Sequence, residues 1–269
     1  MLQSEQAIGI FDSGVGGLTV ASAIRQLLPG EKMIYFGDTA HLPYGDKSSE
    51  SIMYYSEHIA DFLLEQQVKV ILIACNTASA FAYKHLQEYL GDRAIVLNVI
   101  DPVVDYIHSK FKNSKIGVIG TKGTIRSGTY EKEIMARTDD IKVISKPTPL
   151  FVPMIEEGFI YDDISNAIIR SYLSQEDFRG IDALILGCTH YPIIKNQIRK
   201  FFDFKVDVVD SAKVVARYLK EKLEEKNLLS TTENPSHEFF VSDYTEYFEA
   251  IARMFFEEKI NLSKIDFWT

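Results

Sequence analysis

Only two cysteines, Cys75 and Cys188, occur in the chain, and neither belongs to a C-x-x-C pair. That scarcity excludes a disulfide framework and a structural zinc site. A single bridge between them is disfavoured in a reducing cytosol. No apolar run approaches the roughly 20 residues that cross a bilayer. The opening MLQSEQAIGIFDSG has no basic flank, apolar core or small-residue cleavage site of a signal peptide, so a cytoplasmic protein without a membrane partner is expected. Basic runs are also missing, and the formal net charge is −9. Nucleic acid is therefore not an expected partner, because that binding relies on clustered Lys and Arg. The acidic balance keeps the surface soluble, and a small anion can still occupy a local pocket.

What is present is a strong alternating pattern. With 46% hydrophobic residues in 269, the chain can bury a core as one large domain or two moderate ones. Short apolar, β-branched runs predict buried parallel strands at 7–12, 33–37, 70–75, 94–99, 115–120, 141–145, 183–188 and 205–209. Helical patterns lie between them, as at 17–28, 50–67 and 161–176. The expected class is α/β, with helices covering parallel sheets. Ser211 is placed to cap a helix through Leu228, STTENPS reads as a connector, EFFVSD as a strand and TEYFEAIARMFF as an amphipathic helix.

A weak repeat divides this pattern. IGIFDSGVGG at Ile8 is echoed by IGVIGTKGT at Ile116, an offset of 108 residues. VILIACNTA, with Cys75, is echoed by ALILGCTHY, with Cys188, an offset of 113. Two similar offsets predict duplicated halves related by a pseudo-twofold axis. Ligands of open α/β sheets bind beyond the carboxyl ends of the strands, so the two cysteines are expected to oppose one another across a cleft.

A free cysteine is commonly just a small buried hydrophobe. Here each thiol ends a strand and is expected to precede a helix, where backbone N–H groups and the helix dipole stabilise a thiolate. Two opposed thiols without a redox motif suit racemisation. A base removes an α-hydrogen from one face, and an acid returns a proton to the other. The DSGVGG turn, Asp12–Gly17, invites comparison with a dinucleotide fingerprint in which Asp38 would bind ribose. Thr19 stands where that motif needs its last glycine, however, and Asp12 would repel a pyrophosphate. The glycines more simply let N–H groups approach a carboxylate, while Asp12 orients an ammonium or assists proton transfer. Tyr44, Gly45, Asn76, Thr77, Thr121, Thr124 and Thr189 follow strands and offer neutral donors, although helix capping explains any one Thr or Asn equally well. His190, two residues after Cys188, is either a structural histidine or a group that steers the thiolate–thiol equilibrium or shuttles a proton. No remaining ligands complete a metal site around it. Glu156 reads both as a partner for His190 and as an exposed helix end.

The segments FDSGVGGLTV, YFGDTAHLPYG, IACNTASA, IGTKGT, PLFVPMIEEG and LILGCTHYP together resemble the glutamate racemase family of the aspartate/glutamate racemase superfamily. The resemblance implies interconversion of L- and D-glutamate without pyridoxal phosphate, metal or other cofactor, supplying D-glutamate for peptidoglycan. It implies that Cys75 takes the proton from D-glutamate and Cys188 from L-glutamate. Asp12, Glu156 and His190 match residues that assist, and Ser13, Tyr44, Gly45, Asn76, Thr77, Thr121, Thr124 and Thr189 match substrate contacts. It further implies two similar α/β domains, 1–97 with 210–269 and 98–209, with the site between them, and a homodimer. Two alternatives stay open: a racemase of aspartate or another acidic amino acid, and a two-lobed anion-binding module without catalysis.

Overall fold

Strands such as IGIFD and MIYFG are apolar at nearly every position, so both faces must be covered and a parallel sheet flanked by helices is the economical solution. A computed structural model, describing residues 2–256 and 260–268, has this architecture. The chain divides into two compact units, Met1–Val99 with Ala212–Thr269, and Ile100–Ser211. The first begins with β1 (Ile8–Asp12), α1 (Leu18–Leu27), β2 (Met33–Gly37), α2 (Ser49–Glu65), β3 (Val70–Ile73), α3 (Asn76–Leu90) and β4 (Ile95–Asn98). The second holds α4 (Asp101–Lys110), β5 (Lys115–Gly120), α5 (Lys122–Ser127), α6 (Thr129–Met135), β6 (Lys142–Pro147), α7 (Phe151–Glu156), α8 (Asp163–Leu173), β7 (Ala183–Gly187), α9 (Lys195–Phe201) and β8 (Asp207–Val209). After α10 (Ser211–Glu225), the chain adds β9 (Glu238–Val241), α11 (Glu246–Phe256) and β10 (Ser263–Lys264).

Both sheets are parallel throughout. Their orders are β10-β9-β2-β1-β3-β4 and β6-β5-β7-β8. Within the first sheet, β2-β1-β3-β4 repeats the order β6-β5-β7-β8, so the repeat seen in the sequence is a repeat of topology. Strands β1, β2, β3 and β7 are buried along their whole length, whereas the edge strand β6 is partly exposed and tolerates Pro147 at its end.

Differences from the expected boundaries have local causes. Ser211 is the first residue of α10 rather than its cap, and the helix stops at Glu225. There Asn227 adopts a left-handed φ of 54°, and Leu228 N–H donates to Leu223 O at 2.8 Å, a Schellman closure. The expected helix at 161–176 shortens because Asp162 and Ser165 form a capping box that starts α8. Strand β10 was not expected, since two exposed residues carry no apolar alternation.

One buried ion pair staples the first unit at the end of the sheet where β3 begins. Lys69 and Glu31 are both buried, with Nζ 2.6 Å from Glu31 Oε2. Lys69 Nζ also donates to Ser4 O and to Leu228 O, and Ser230 N–H donates to Glu31 Oε1. The pair thus joins the N-terminal segment, the approach to β2 and the turn after α10. Lys69→Met strands a buried carboxylate, so a loss of about 3–5 kcal/mol is expected. Urea unfolding should show a lower midpoint for Lys69→Met, with part of the loss recovered in Lys69→Met/Glu31→Leu.

Candidate active site

In the first unit, parallel register brings two strand ends together. Phe11 pairs with Ile73, and Ala74 N–H donates to Phe11 O at 2.8 Å. The residues that follow, Asp12 and Ser13 on one strand and Cys75 on the other, therefore emerge side by side. Cys75 is the N-cap of α3: its sulfur accepts from Ala78 N–H at 3.4 Å, and it lies 3.7 Å from Ser13 Oγ. Asn76 and Thr77 are the buried first residues of α3. The Asp12 carboxylate is fully buried, and its Oδ2 accepts from Gly14 N–H and Gly17 N–H, both at 3.1 Å. Asp12 thereby caps α1, whose Gly17 N-cap has no side chain to do so. Glycine is required there: a Cβ on Gly17 would stand 2.6 Å from Asp12 Cβ and 2.9 Å from the Tyr35 hydroxyl. A Cβ on Gly37 would stand 2.3 Å from Gly14 O.

Tyr44 and Gly45 form the start of a buried 3₁₀ turn after β2. The Tyr44 hydroxyl donates to Asp38 Oδ2 at 2.7 Å. Burial, reinforced by the Asp38 charge, pushes this phenol well above its usual range, so it remains a donor.

The second unit repeats the arrangement with different chemistry. Gly120 pairs with Gly187, so Thr121 and Cys188 follow adjacent strand ends. Thr121 caps α5, accepting from Thr124 N–H at 3.2 Å, with the two hydroxyls 3.1 Å apart. Capping thus accounts for these two threonines, as it can without excluding ligand contact. Cys188 and Thr189 are buried, and the Cys188 sulfur lies 3.9 Å from His190 Nδ1. On the opposite side of the ring, Nε2 is 2.9 Å from Glu156 Oε1 at the end of α7. Burial disfavours a charged ring, but the Cys188 sulfur and the Glu156 carboxylate outweigh it and hold His190 up at about 10.

One expectation needs correction. Cys188 is not followed directly by a helix: a 3₁₀ turn, Tyr191–Ile194, intervenes, and α9 starts only at Lys195. Its polar neighbour is the His190 ring, in keeping with the steering role that the sequence allowed. Asp38, already rejected as a ribose ligand on the sequence, is buried, and its carboxylate accepts from His41, Tyr44, Ser242 and Trp268. Sequence reasoning also missed the braces around the site. The Tyr35 hydroxyl donates to Gly14 O at 2.9 Å. Tyr191 OH lies 2.7 Å from Thr148 Oγ1, and Thr148 N–H donates to Gly120 O. No motif announces such tyrosines, since a strand or turn tyrosine is ordinarily just core. Among the described residues, no group of three or more His, Cys, Asp or Glu could hold a metal ion, and no helix is long and apolar enough to cross a membrane.

The fold is that of the two-unit α/β racemases, and residues 17–219 match the family described as Asp/Glu/Hydantoin racemase. A glutamate racemase of Geobacter metallireducens is 44% identical, over 95% of this chain and 94% of that protein. The crystal structure of a Francisella tularensis glutamate racemase in complex with D-glutamate superposes with a TM-score of 0.92 at 40% identity, covering 98% of this chain and 99% of that one. A Thermus thermophilus glutamate racemase, in complex with β-chloro-D-alanine, gives a TM-score of 0.88 at 38% identity, covering 98% of each chain. The chain belongs to the Asp/Glu/Hydantoin racemase family, among its glutamate racemases.

The His190 environment has a measurable pH signature. A folded-state value near 10 against an ordinary 6.5 means that the contribution to stability is complete below about 6.5. It declines as pH rises and is lost by about 10. The stability gap between wild type and His190→Asn should therefore narrow across that window in urea titrations. Glu156→Gln should bring the imidazole midpoint down toward 6.5, read by ¹⁵N NMR of the ring; an unmoved midpoint would remove Glu156 as its partner.

Proposed function

We propose that the protein interconverts L- and D-glutamate by passing the α-proton between Cys75 and Cys188, without a cofactor. The observation that supports this most is the pair of thiols after equivalent strands, β3 and β7, each held by its own polar partners. In the L-to-D direction, the Cys188 sulfur takes the α-proton, and the electron pair left on the α-carbon spreads into the carboxylate. The Cys75 thiol then delivers its proton to the opposite face. The reverse direction exchanges these roles, so each turnover leaves the enzyme in the form that accepts the other enantiomer.

The surrounding groups divide the remaining work. His190, protonated at neutral pH, gives the sulfur of Cys188 a positive partner once that sulfur has lost a proton. Glu156 assists by holding the other edge of the ring. Asp12 assists on the Cys75 side, where its Oδ2 shapes the turn from Ser13 to Gly17. Ser13, Tyr44, Gly45, Asn76, Thr77, Thr121, Thr124 and Thr189 contact the substrate's ammonium and carboxylates. Because the Tyr44 hydroxyl is committed to Asp38, that segment offers backbone N–H groups to an anion. Production of D-glutamate for peptidoglycan in the cytoplasm, by a homodimer, completes the reading.

The two enantiomers have equal free energy, so kcat/KM must be the same in both directions for every variant. Asymmetry between the thiols is therefore sought in isotope exchange. Cys75→Ala and Cys188→Ala should each lower racemisation by about 10²–10⁴-fold or more, followed by circular dichroism. In deuterium oxide, Cys75→Ala should still label the α-position of L-glutamate without inversion, and Cys188→Ala that of D-glutamate. Full turnover in either single variant would sink the two-thiol mechanism, and faster turnover of aspartate would sink the choice of substrate.

A further inference from the structure

Asp38 follows β2 and is fully buried, yet four side chains donate to its carboxylate. Tyr44 OH donates to Oδ2 at 2.7 Å, Ser242 Oγ to Oδ1 at 2.8 Å and Trp268 Nε1–H to Oδ1 at 2.7 Å, while His41 Nδ1 lies 2.9 Å from Oδ2. A carboxylate has acceptor sites for all of them and no donor of its own. The donors come from two distant stretches of chain. His41 and Tyr44 belong to the loop that carries Gly45, whereas Ser242 and Trp268 belong to the tail beyond β9. Ser242 also accepts from Ala40 N–H at 2.9 Å, and Thr39 Oγ1 exchanges hydrogen bonds with Asp243 N–H and O. Apolar contacts reinforce the polar ones. The Trp268 ring meets His41 edge-on at 4.6 Å between centroids, Tyr55 at 5.3 Å and Phe267 at 4.6 Å, and His41 stacks on Tyr55 at 4.0 Å.

We infer that Trp268 and Asp38 are positioning residues: through the Asp38 carboxylate, the C-terminal tail fixes the Tyr44–Gly45 loop in the conformation that receives substrate. The inference rests on the reading of that loop as a substrate contact. Neither residue touches the reacting carbon in this scheme, so losing one weakens binding and spares the proton transfer. Coupling of this kind is reciprocal, so substrate on the loop must also alter the surroundings of Trp268. Trp268 is the one tryptophan of the chain, which makes its emission a direct reporter.

Trp268→Phe keeps a ring and removes only the indole donor. It should raise KM for glutamate about three- to tenfold, less than the full worth of a hydrogen bond to a charged acceptor because three donors still hold the carboxylate, with kcat within about twofold. Wild-type emission should change saturably with glutamate, and Asp38→Asn should abolish that change. Should Trp268→Phe fail to fold, Ser242→Ala removes another donor from the same carboxylate and carries the same KM expectation. An unchanged KM in the folded variant, or wild-type emission indifferent to saturating glutamate, overturns the inference. Gly45→Ala separates this from a failure of the underlying reading. If Gly45→Ala raises KM and Trp268→Phe does not, the loop binds substrate and the tail does not position it. If neither moves KM, the loop is not a substrate contact and both statements fall.

Discussion

The pairing of Phe11 with Ile73 in one sheet, and of Gly120 with Gly187 in the other, sets where the proposed catalytic groups leave the strands. Parallel strands in register end side by side, and the residues just beyond them leave the sheet at the same level. A slip of one residue would turn every following side chain to the other face. Asp12, Ser13 and Cys75 depend on the first pairing, and Thr121 and Cys188 on the second. The brace from Tyr191 through Thr148 to the Gly120 carbonyl shows the same constraint carried by side chains.

Equivalent positions do not make equivalent sites. Cys75 sits in a field of dipoles: a backbone N–H from the first turn of α3 and the Ser13 hydroxyl. Cys188 has the His190 ring beside it, which the sulfur and Glu156 keep protonated against the cost of burying it. The duplicated topology thus supplies symmetry of placement, while local side chains break the symmetry of electrostatics. The proposed transfer between two thiols needs the first and tolerates the second, because equal substrate energies constrain only the overall rates.

Much of this was legible along the chain. The eight runs expected as strands all become strands, within one or two residues at most ends, because an apolar, β-branched run bounded by a turn is a local property. The glycine-rich turn after β1 and the strand-end cysteines were visible for the same reason. Helix ends were less so: Asn227 stops α10 by adopting a left-handed conformation that many asparagines never adopt. The helix after Cys188 was expected too early, because the chain makes a 3₁₀ turn first. Nothing local marks Tyr35 or Tyr191 as braces.

What the sequence determined by itself is the alternation of strands and helices, the repeat, and the placement of Cys75 and Cys188 just past apolar strands. Each of these depends on side-chain period and turn chemistry over a few neighbouring residues. Tertiary structure alone decided which distant groups meet. Glu156 reaches His190 across 34 residues, Ser242 and Trp268 reach Asp38 across 204 and 230, and β9 joins β2 rather than another edge. Closing loops of that length costs chain entropy that grows only slowly with separation, so local sequence cannot encode the choice. Packing makes it, by leaving buried carboxylates such as Asp38 and Glu31 no tolerable state except one in which donors surround them.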